Sequence, residues 1–403
     1  MERLVARKGA SSGRCALLMF ARWASVASRW RDPNSGLREI IESYVMSRIA
    51  LVLVGWVALG RLPWGYYSPT YNISQKTWVV MWLRWDALWY LKIAEHGYRA
   101  VDSLAFFPTF PLLIRAVHDV TRLPFAVSAL LLSNAMCLGF LFAFWAVVSE
   151  HFGEPVRRRA LFAALSFPTA FFMSAAYTES TFLFLSVMVF WLARRQKFWW
   201  AGLFAMGATL TRNEGAFTVV PILWNYYQAR GWKVRWDLLA VFGIPLAMAG
   251  FMYFQWRHFG NPLAFVDSQS AWGRHITWPW VGMALAVGRI WHGSSLQASS
   301  VLSMIDLSSA LMSAGVWLYS RKRLPVDWMI YWAVLWLIDV SAPSPYGRSP
   351  LLSMSRLVLI LFPMYVGLGI LTENPTWQRA MNWLFPLLQA VFFTIFATWH
   401  WIA

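Results

Sequence analysis

Asp86 is the acid best suited to chemistry in this chain, because it stands among aromatic residues directly after an apolar run. It lies in the stretch R-W-D-A-L-W-Y-L-K-I-A-E-H-G-Y-R, residues 84–99. Read as a helix, this stretch and the residues before it form one apolar face along Trp82, Trp85, Trp89 and Ile93. The pattern predicts a helix lying at a membrane surface, with Asp86 and Tyr90 beside that face.

A carboxylate at a membrane edge costs free energy unless it has a partner or a chemical task. Asp86 is therefore a candidate proton acceptor. The alternative is an interfacial helix whose acid is simply hydrated, or paired with Arg84 or Lys92.

Four other short connections between apolar runs carry acids or arginines instead of the usual turn formers. An arginine fork suits phosphate, and a carboxylate near a bound anion can take a proton from an attacking hydroxyl. These acids and arginines together fit a reaction in which a lipid phosphate leaves a sugar. Glu179 joins Asp86 as a candidate catalytic residue. The candidates for substrate contacts are Trp85, Trp89, Tyr90, Tyr177, Arg212, Glu214, Arg274 and Arg356.

Each charged candidate also has a structural alternative. Glu179 could cap the start of the next span. Arg212 and Glu214 could pair with each other. Arg274 and Arg356 could extend toward lipid headgroups, as arginines at span ends often do.

The chain has no motif for nucleotide or metal-dependent hydrolytic chemistry. It contains no P-loop, no G-x-G-x-x-G, no H-E-x-x-H and no G-x-S-x-G. The two cysteines have no ligand spacing, and no paired D-x-D occurs. We therefore predict no cofactor and no metal site, with the use of a divalent metal left open.

Composition identifies an all-α polytopic membrane protein. Of 403 residues, 59% are hydrophobic and only 13% charged, against roughly 25% charged in soluble domains. The 28 tryptophans suit many membrane interfaces. The net charge of +17 does not indicate nucleic-acid binding, because the basic residues form short clusters between apolar runs, which favours contact with membrane lipids.

Hydrophobic runs predict about eleven transmembrane helices, some of them short. Basic clusters occupy alternate loops, which predicts that those loops and the N-terminus are cytoplasmic and the polar clusters non-cytoplasmic. Residues 1–39 would form a basic cytoplasmic arm, and 40–403 the membrane domain, with an outer loop at about 62–123. Within that loop, residues 104–118 are interpreted as re-entrant or juxtamembrane, because Pro108 and Pro111 disfavour a plain helix. The predicted spans are 43–61, 124–149, 160–175, 181–194, 198–211, 216–229, 237–255, 297–319, 326–341, 357–373 and 380–402.

Five blocks in order carry a family resemblance: W-D-A-L-W-Y-L-K-I-A-E-H-G-Y, F-F-P-T-F-P-L-L, F-P-T-A-F-F-M-S-A-A-Y-T-E-S, A-T-L-T-R-N-E-G and F-G-N-P-L-A-F-V-D-S-Q-S-A-W-G-R. Over roughly 40–370 the chain resembles the PIG-V family of mannosyltransferases and its prokaryotic relatives, within the GT-C superfamily. The resemblance implies a GT-C-like bundle with interfacial helices in its first outer loop. It also implies transfer of a sugar with inversion from a polyprenyl-phosphate donor, with Asp86 matching the expected outer-loop base.

The chain departs from the family pattern at Ala87, Asn213, Glu214 and Asn261, so the identities of sugar and acceptor stay open. A cell-wall lipid, glycolipid or protein acceptor is favoured over a GPI acceptor. The predicted location is the plasma membrane in a bacterium or the ER membrane in a eukaryote. The alternatives are a transporter or flippase for a polyprenyl-linked lipid, and a non-catalytic scaffold that binds such lipids. The sequence does not indicate a protein partner.

Overall fold

The computed structural model describes residues 36–63, 65, 76–231, 233–270, 273–293 and 297–402, and every regular element within them is helical. Short 3-10 helices at 101–105, 170–173, 213–218, 236–242 and 358–360 lie between the α-helices. The α-helices are α1 Leu37–Arg61, α2 Thr77–Val80, α3 Asp86–His96, α4 Thr109–Thr121, α5 Phe125–Ser149, α6 Glu154–Ser166, α7 Glu179–Arg194, α8 Phe198–Thr209, α9 Val219–Arg230, α10 Gly243–Phe259, α11 Ala264–Ser270, α12 Pro279–His292, α13 Ala298–Ser320, α14 Val326–Val340, α15 Met354–Leu357, α16 Phe362–Leu371 and α17 Pro375–Ala397.

The centre of the bundle is formed by α5, α6, α7 and α16, which bury most of their side chains. Small residues allow close approach of the backbones, as in many membrane bundles. At Gly369 in α16, an added Cβ would lie 2.9 Å from the Val156 carbonyl oxygen and 3.0 Å from the Ala160 nitrogen of α6. Glycine at this position therefore lets α16 pack directly on α6.

The prediction of a helical membrane protein is supported, but the count of eleven spans is not confirmed. Among the described residues, five helices are long and apolar enough to cross a membrane, or six if the bent pair 354–360 and 362–371 forms one span. Helices α6 to α9 are 12 to 16 residues long. The difference arises because hydropathy records apolar residues but not the points where a helix breaks.

One break, residues 167–178, is buried along almost its whole length. Its Ala176 amide donates to the Trp82 carbonyl (3.4 Å), and its Thr169 hydroxyl donates to the Ser355 carbonyl (2.8 Å). Non-helical backbone at membrane depth is tolerated only where protein surrounds it. This segment meets that condition and links three distant parts of the chain.

The helix around Asp86 is shorter than the aromatic spacing predicts. It begins at Asp86, because Trp85 adopts a positive φ of 51° and Trp82 lies in the turn before it. The predicted single face of four apolar residues is therefore wrong. Asp86 becomes the first residue of α3, a position that favours an acid.

Residues 104–118 do not form one continuous helix. The α-helix here, α4, begins at Thr109 and has 13 residues, with Phe110 and Ile114 buried and Leu112 exposed. Pro108 precedes the helix and Pro111 lies in its first turn, where a missing N–H costs little. Whether this piece re-enters the membrane or lies at its surface stays a prediction. The basic arm 1–39 lies outside the described residues, except for 36–39.

The predicted cytoplasmic loops meet at one end of the bundle through ion pairs. Arg158 contacts Glu39 and Glu154 at 3.0 and 2.7 Å. Both Arg194 and Arg195, at the end of α7, contact Glu150. The start of α7, which carries Glu179, consequently lies at the opposite end. The side of the membrane that each end faces stays a prediction.

We predict that Gly215→Ala destabilises the protein, because the new Cβ would fall on the backbone of Ala208 and Thr209 in α8. Overpacking of this kind costs about 1–3 kcal/mol. Thermal unfolding in detergent should show a lower Tm for Gly215→Ala. Gly250→Ala is the control, since nothing lies within 4 Å of its added Cβ. Equal Tm values for both variants would contradict the close contact.

Candidate functional site

A cavity open to solvent, with about 770 Å³ of empty space that includes its mouth, lies at the end of the bundle where α3 and α7 begin. The sequence placed its charged residues on five separate connections, and the fold brings most of them to this cavity. The predicted site residues that line it are Asp86, Tyr90, Arg212, Glu214, Arg274 and Arg356.

Arg356 is the central cation of the site. Its Nη1 donates to Asp86 Oδ2 at 2.7 Å, and its Nε donates to Glu179 Oε1 at 2.5 Å. Its guanidinium also lies 4.7 Å from the centre of the Tyr177 ring. Arg356 therefore points into the protein, and not toward lipid headgroups as the alternative reading of the sequence had it.

A four-residue helix, α15, holds Arg356 in place. Ser353 before it has a left-handed φ of 65°, and the Ser355 amide donates to Asp306 Oδ1 at 2.9 Å. Asp306 comes from the long apolar helix α13 and is buried. The sequence showed it as an acid within an apolar run but gave no sign of what it contacts.

Glu179 accepts hydrogen bonds from two arginines. Besides Arg356, Arg212 Nη1 lies 3.4 Å from the same oxygen, Oε1. The Glu179 side chain is fully buried at the start of α7 and does not line the cavity. The geometry favours a residue that orients both arginines over one that touches the reacting atoms.

Arg212 and Glu214 form the next ion pair, at 3.0 Å. Burial alone would raise the pKa of Glu214, but the charge and hydrogen bond of Arg212 outweigh burial and lower it below the ordinary value. The pairing that the sequence offered as a structural alternative is therefore present, and it lies on the cavity wall.

Asp86 is the most exposed acid of this network, with 17% of its side-chain surface accessible to solvent. Neither of the local partners considered from the sequence holds it. Arg84 donates to the Ala397 carbonyl at 2.8 Å, and Lys92 lies over the Trp89 ring. Asp86 thus has one arginine partner and direct access to the cavity.

The aromatic candidates take different places. Tyr90 lines the cavity, whereas Tyr177 is buried behind Arg356 and donates to the Arg84 carbonyl at 3.0 Å. Trp89 stacks on Phe106, a cavity residue, with ring centres 5.6 Å apart. Trp85 contacts Trp401, which also lines the cavity.

Several residues that line the cavity belong to no motif, so their place in the site could not be predicted from the sequence. Trp401 lies two residues before the end of the chain, and Gln269 and Ser353 are ordinary polar residues of loops or helix ends. Only their position in the fold makes them part of the site. Within the described residues, no group of three or more His, Cys, Asp or Glu could hold a metal ion.

The fold and site define a helical membrane protein with a buried arginine–carboxylate network beside a cavity at one end of its bundle. Residues 67–229 match the model of the Mannosyltransferase (PIG-V) family, which confirms the predicted family resemblance for this segment. The segment contains Asp86, Glu179, Arg212 and Glu214, whereas Arg274 and Arg356 lie beyond it.

Curated relatives match a similar part of the chain. GPI alpha-1,6-mannosyltransferase 2 of Cricetulus griseus is 34% identical over 207 residues, covering 44% of this chain and 41% of that protein. The Homo sapiens protein of the same name is 32% identical over 202 residues, with the same coverage. The match thus spans less than half the length of these relatives.

Solved structures show a weaker likeness. The oligosaccharyltransferase of Archaeoglobus fulgidus in its apo form gives a TM-score of 0.40 at 12% identity, covering 88% of this chain and 55% of that chain. The same enzyme with an inhibitory peptide and a dolichol-phosphate gives 0.39 at 12% identity. Scores this low do not establish a common fold.

We expect Glu179→Gln to destabilise the protein strongly, since two buried arginines lose the carboxylate they share. Removing one member of a buried ion pair typically costs about 3–5 kcal/mol. Thermal unfolding in detergent should show the loss as a lower Tm. Glu95→Gln is the matched control, because Glu95 is half-exposed and forms, within the described part of the chain, an ion pair with the neighbouring His96 alone. A Tm for Glu179→Gln equal to that of the control would show that the network contributes nothing.

The lowered pKa of Glu214 predicts a pH dependence of stability. A carboxyl with a lower pKa in the folded protein contributes stability above its unfolded value of 4.5, and that stability is lost as the pH falls through the folded pKa. The Tm difference between wild type and Glu214→Gln should therefore be constant near neutral pH and shrink below about pH 4.5. A difference that grows on acidification would contradict the pairing with Arg212.

Proposed function

We propose that this protein is an integral-membrane glycosyltransferase that moves a sugar from a polyprenyl-phosphate donor to an acceptor hydroxyl. The observation that carries the proposal is the position of Asp86: a partly exposed carboxylate facing a cavity lined by three arginines. The family match over 67–229 supports the same class of reaction and favours mannose as the sugar.

The proposed reaction is a single displacement at the anomeric carbon. The donor phosphate lies against the arginine side of the cavity, and the acceptor hydroxyl approaches Asp86. Asp86 accepts the hydroxyl proton while the acceptor oxygen bonds to the anomeric carbon. The bond from that carbon to the phosphate oxygen breaks, and polyprenyl phosphate leaves with the electron pair. Attack opposite the leaving group inverts the configuration, through an oxocarbenium-like transition state.

The arginines stabilise the charge that moves onto the leaving phosphate. In a cavity enclosed by protein and lipid, such preorganised cations act more strongly than in water. Glu179 and Glu214 balance Arg356 and Arg212, so the site holds its cations without a large excess of positive charge.

The finer parts of the proposal rest on sequence. A GT-C-like architecture, a non-cytoplasmic site and a cytoplasmic N-terminus follow from the resemblance and from the alternation of basic loops. The GPI mannosyltransferases that match are relatives over only part of their length, so we propose a lipid-linked or cell-surface acceptor without specifying it. The membrane is the plasma membrane in a bacterium or the ER membrane in a eukaryote.

The test uses purified protein in lipid nanodiscs with polyprenyl-phosphate [³H]mannose and a membrane-lipid acceptor extract. We expect wild type to transfer label and Asp86→Asn to lose about 10²- to 10⁴-fold in rate, the usual contribution of a general base. Asp102→Asn is the matched control, because Asp102 is an exposed acid on the same outer loop.

Three outcomes separate the alternatives. Wild-type rates in folded Asp86→Asn would remove Asp86 from the mechanism. Donor bound and moved across the bilayer without transfer would identify a transporter or flippase. Donor bound with neither transfer nor movement, even with other acceptor extracts, would identify a scaffold.

A further inference from the structure

Two of the three arginines that line the cavity are already neutralised by acids. Arg356 lies between Asp86 and Glu179, and Arg212 lies between Glu179 and Glu214. An anion that approached either guanidinium would also approach these carboxylates, which repel it. Both residues are therefore less favourable anion sites than an arginine without a carboxylate beside it.

Arg274 differs from the other two. Among the residues that the structure describes, no carboxylate oxygen lies within 4.0 Å of its guanidinium. Its Nη2 donates to the Leu352 carbonyl at 3.0 Å, and its buried Nε, like that of Arg212, has no hydrogen-bond partner in the described part of the chain. A buried donor left unsatisfied costs free energy, and an anion on this guanidinium would remove that cost.

The backbone holds Arg274 in a fixed place. Gly273 before it has a left-handed φ of 69°, and its added Cβ would lie 2.9 Å from Ser344 Oγ. The amides of His275 and Thr277 then donate to the carbonyls of Pro343 and Ser341 at 3.0 and 2.8 Å. The segment after Arg274 is thus paired with the chain that leads to Arg356, and the cation is preorganised.

Long-range charge also favours an anion here. Burial lowers the pKa of the Arg274 guanidinium, and the charges of Asp339 and Glu214 offset part of that effect. These acids lie too far away for an ion pair. A ligand anion in direct contact would stabilise the charged guanidinium more strongly than either acid does.

We propose that Arg274 is the residue that binds the phosphate of the lipid donor, and the polyprenyl monophosphate left after transfer, whereas Arg356 and Arg212 stay bound to their acids. This inference rests on the proposed function, since it assigns parts of the same cavity. The phosphate lies at Arg274, and the sugar extends from it toward Asp86. In this arrangement Arg274 binds the anion, and Arg356 holds the base Asp86.

The test measures binding of ³²P-labelled polyprenyl phosphate to the full chain in nanodiscs, with no sugar and no acceptor. We expect Arg274→Gln to weaken binding about 10- to 100-fold, the effect of losing hydrogen bonds to a charged group. Arg274→Lys should give an intermediate loss, because it keeps the charge but not the fork. Tritiated polyprenol, which lacks the phosphate, should bind equally to wild type and Arg274→Gln.

Arg289→Gln is the control for disturbance of the loop. Arg289 donates to the carbonyls of Gly347 and Pro345 at 2.6 and 2.8 Å, so it holds the same loop, but it does not line the cavity. We expect near wild-type phosphate binding by Arg289→Gln. Equal losses in Arg289→Gln and Arg274→Gln would overturn the proposal, as would unchanged binding in Arg274→Gln. This assay measures binding without turnover. If binding depends on Arg274 but no sugar is transferred in the assay of the proposed function, the proposed transferase activity is contradicted and the anion site at Arg274 is not.

Discussion

The ion pairs of Arg356 with Asp86 and Glu179 are the interaction on which the rest of the site depends. They join residues 270 and 177 positions apart in sequence, on α15, α3 and α7. A guanidinium brought into a region of low dielectric needs compensating charge and filled hydrogen bonds, or the cost of removing it from water dominates. The bundle meets this need by bringing acids from two helix starts to one arginine, so the positions of α3, α7 and α15 are coupled.

The positions of Asp86 and Glu179 at helix starts help to stabilise their negative charges inside the protein. Asp86 is the first residue of α3 and Glu179 the first of α7. The unpaired N–H groups of a first turn favour a negative charge, and this adds to the attraction of the arginines. The breaks before α3 and α7 therefore matter for the site, because each places a helix N-terminus at the arginine–carboxylate network.

Sequence reasoning found most of the charged residues of the site but not their contacts. Asp86, Arg212, Glu214, Arg274 and Arg356 line one cavity, and the alternation of basic and polar connections had predicted that they lie on one side of the protein. The ion pair between Asp86 and Arg356 could not be predicted from the sequence, because the two residues lie far apart in the chain. The nearby candidate Arg84 donates to the Ala397 carbonyl instead. The number of predicted spans was not confirmed for a related reason. Apolar composition continues through 167–178, where Pro168 and contacts to distant segments break the helix.

The contact between Asp86 and Arg356 sets a condition on any proton transfer at Asp86. The Arg356 guanidinium at 2.7 Å fixes the position of the Asp86 carboxylate and balances its charge. Substrates that fill the cavity would exclude water from it and leave the carboxylate oxygen that is not bound to Arg356 for the acceptor hydroxyl. A separate cation for the donor phosphate preserves the contact between Asp86 and Arg356. If the donor anion occupied Arg356, it would displace Asp86 from the partner that orients it, whereas an anion at Arg274 leaves the carboxylate in place.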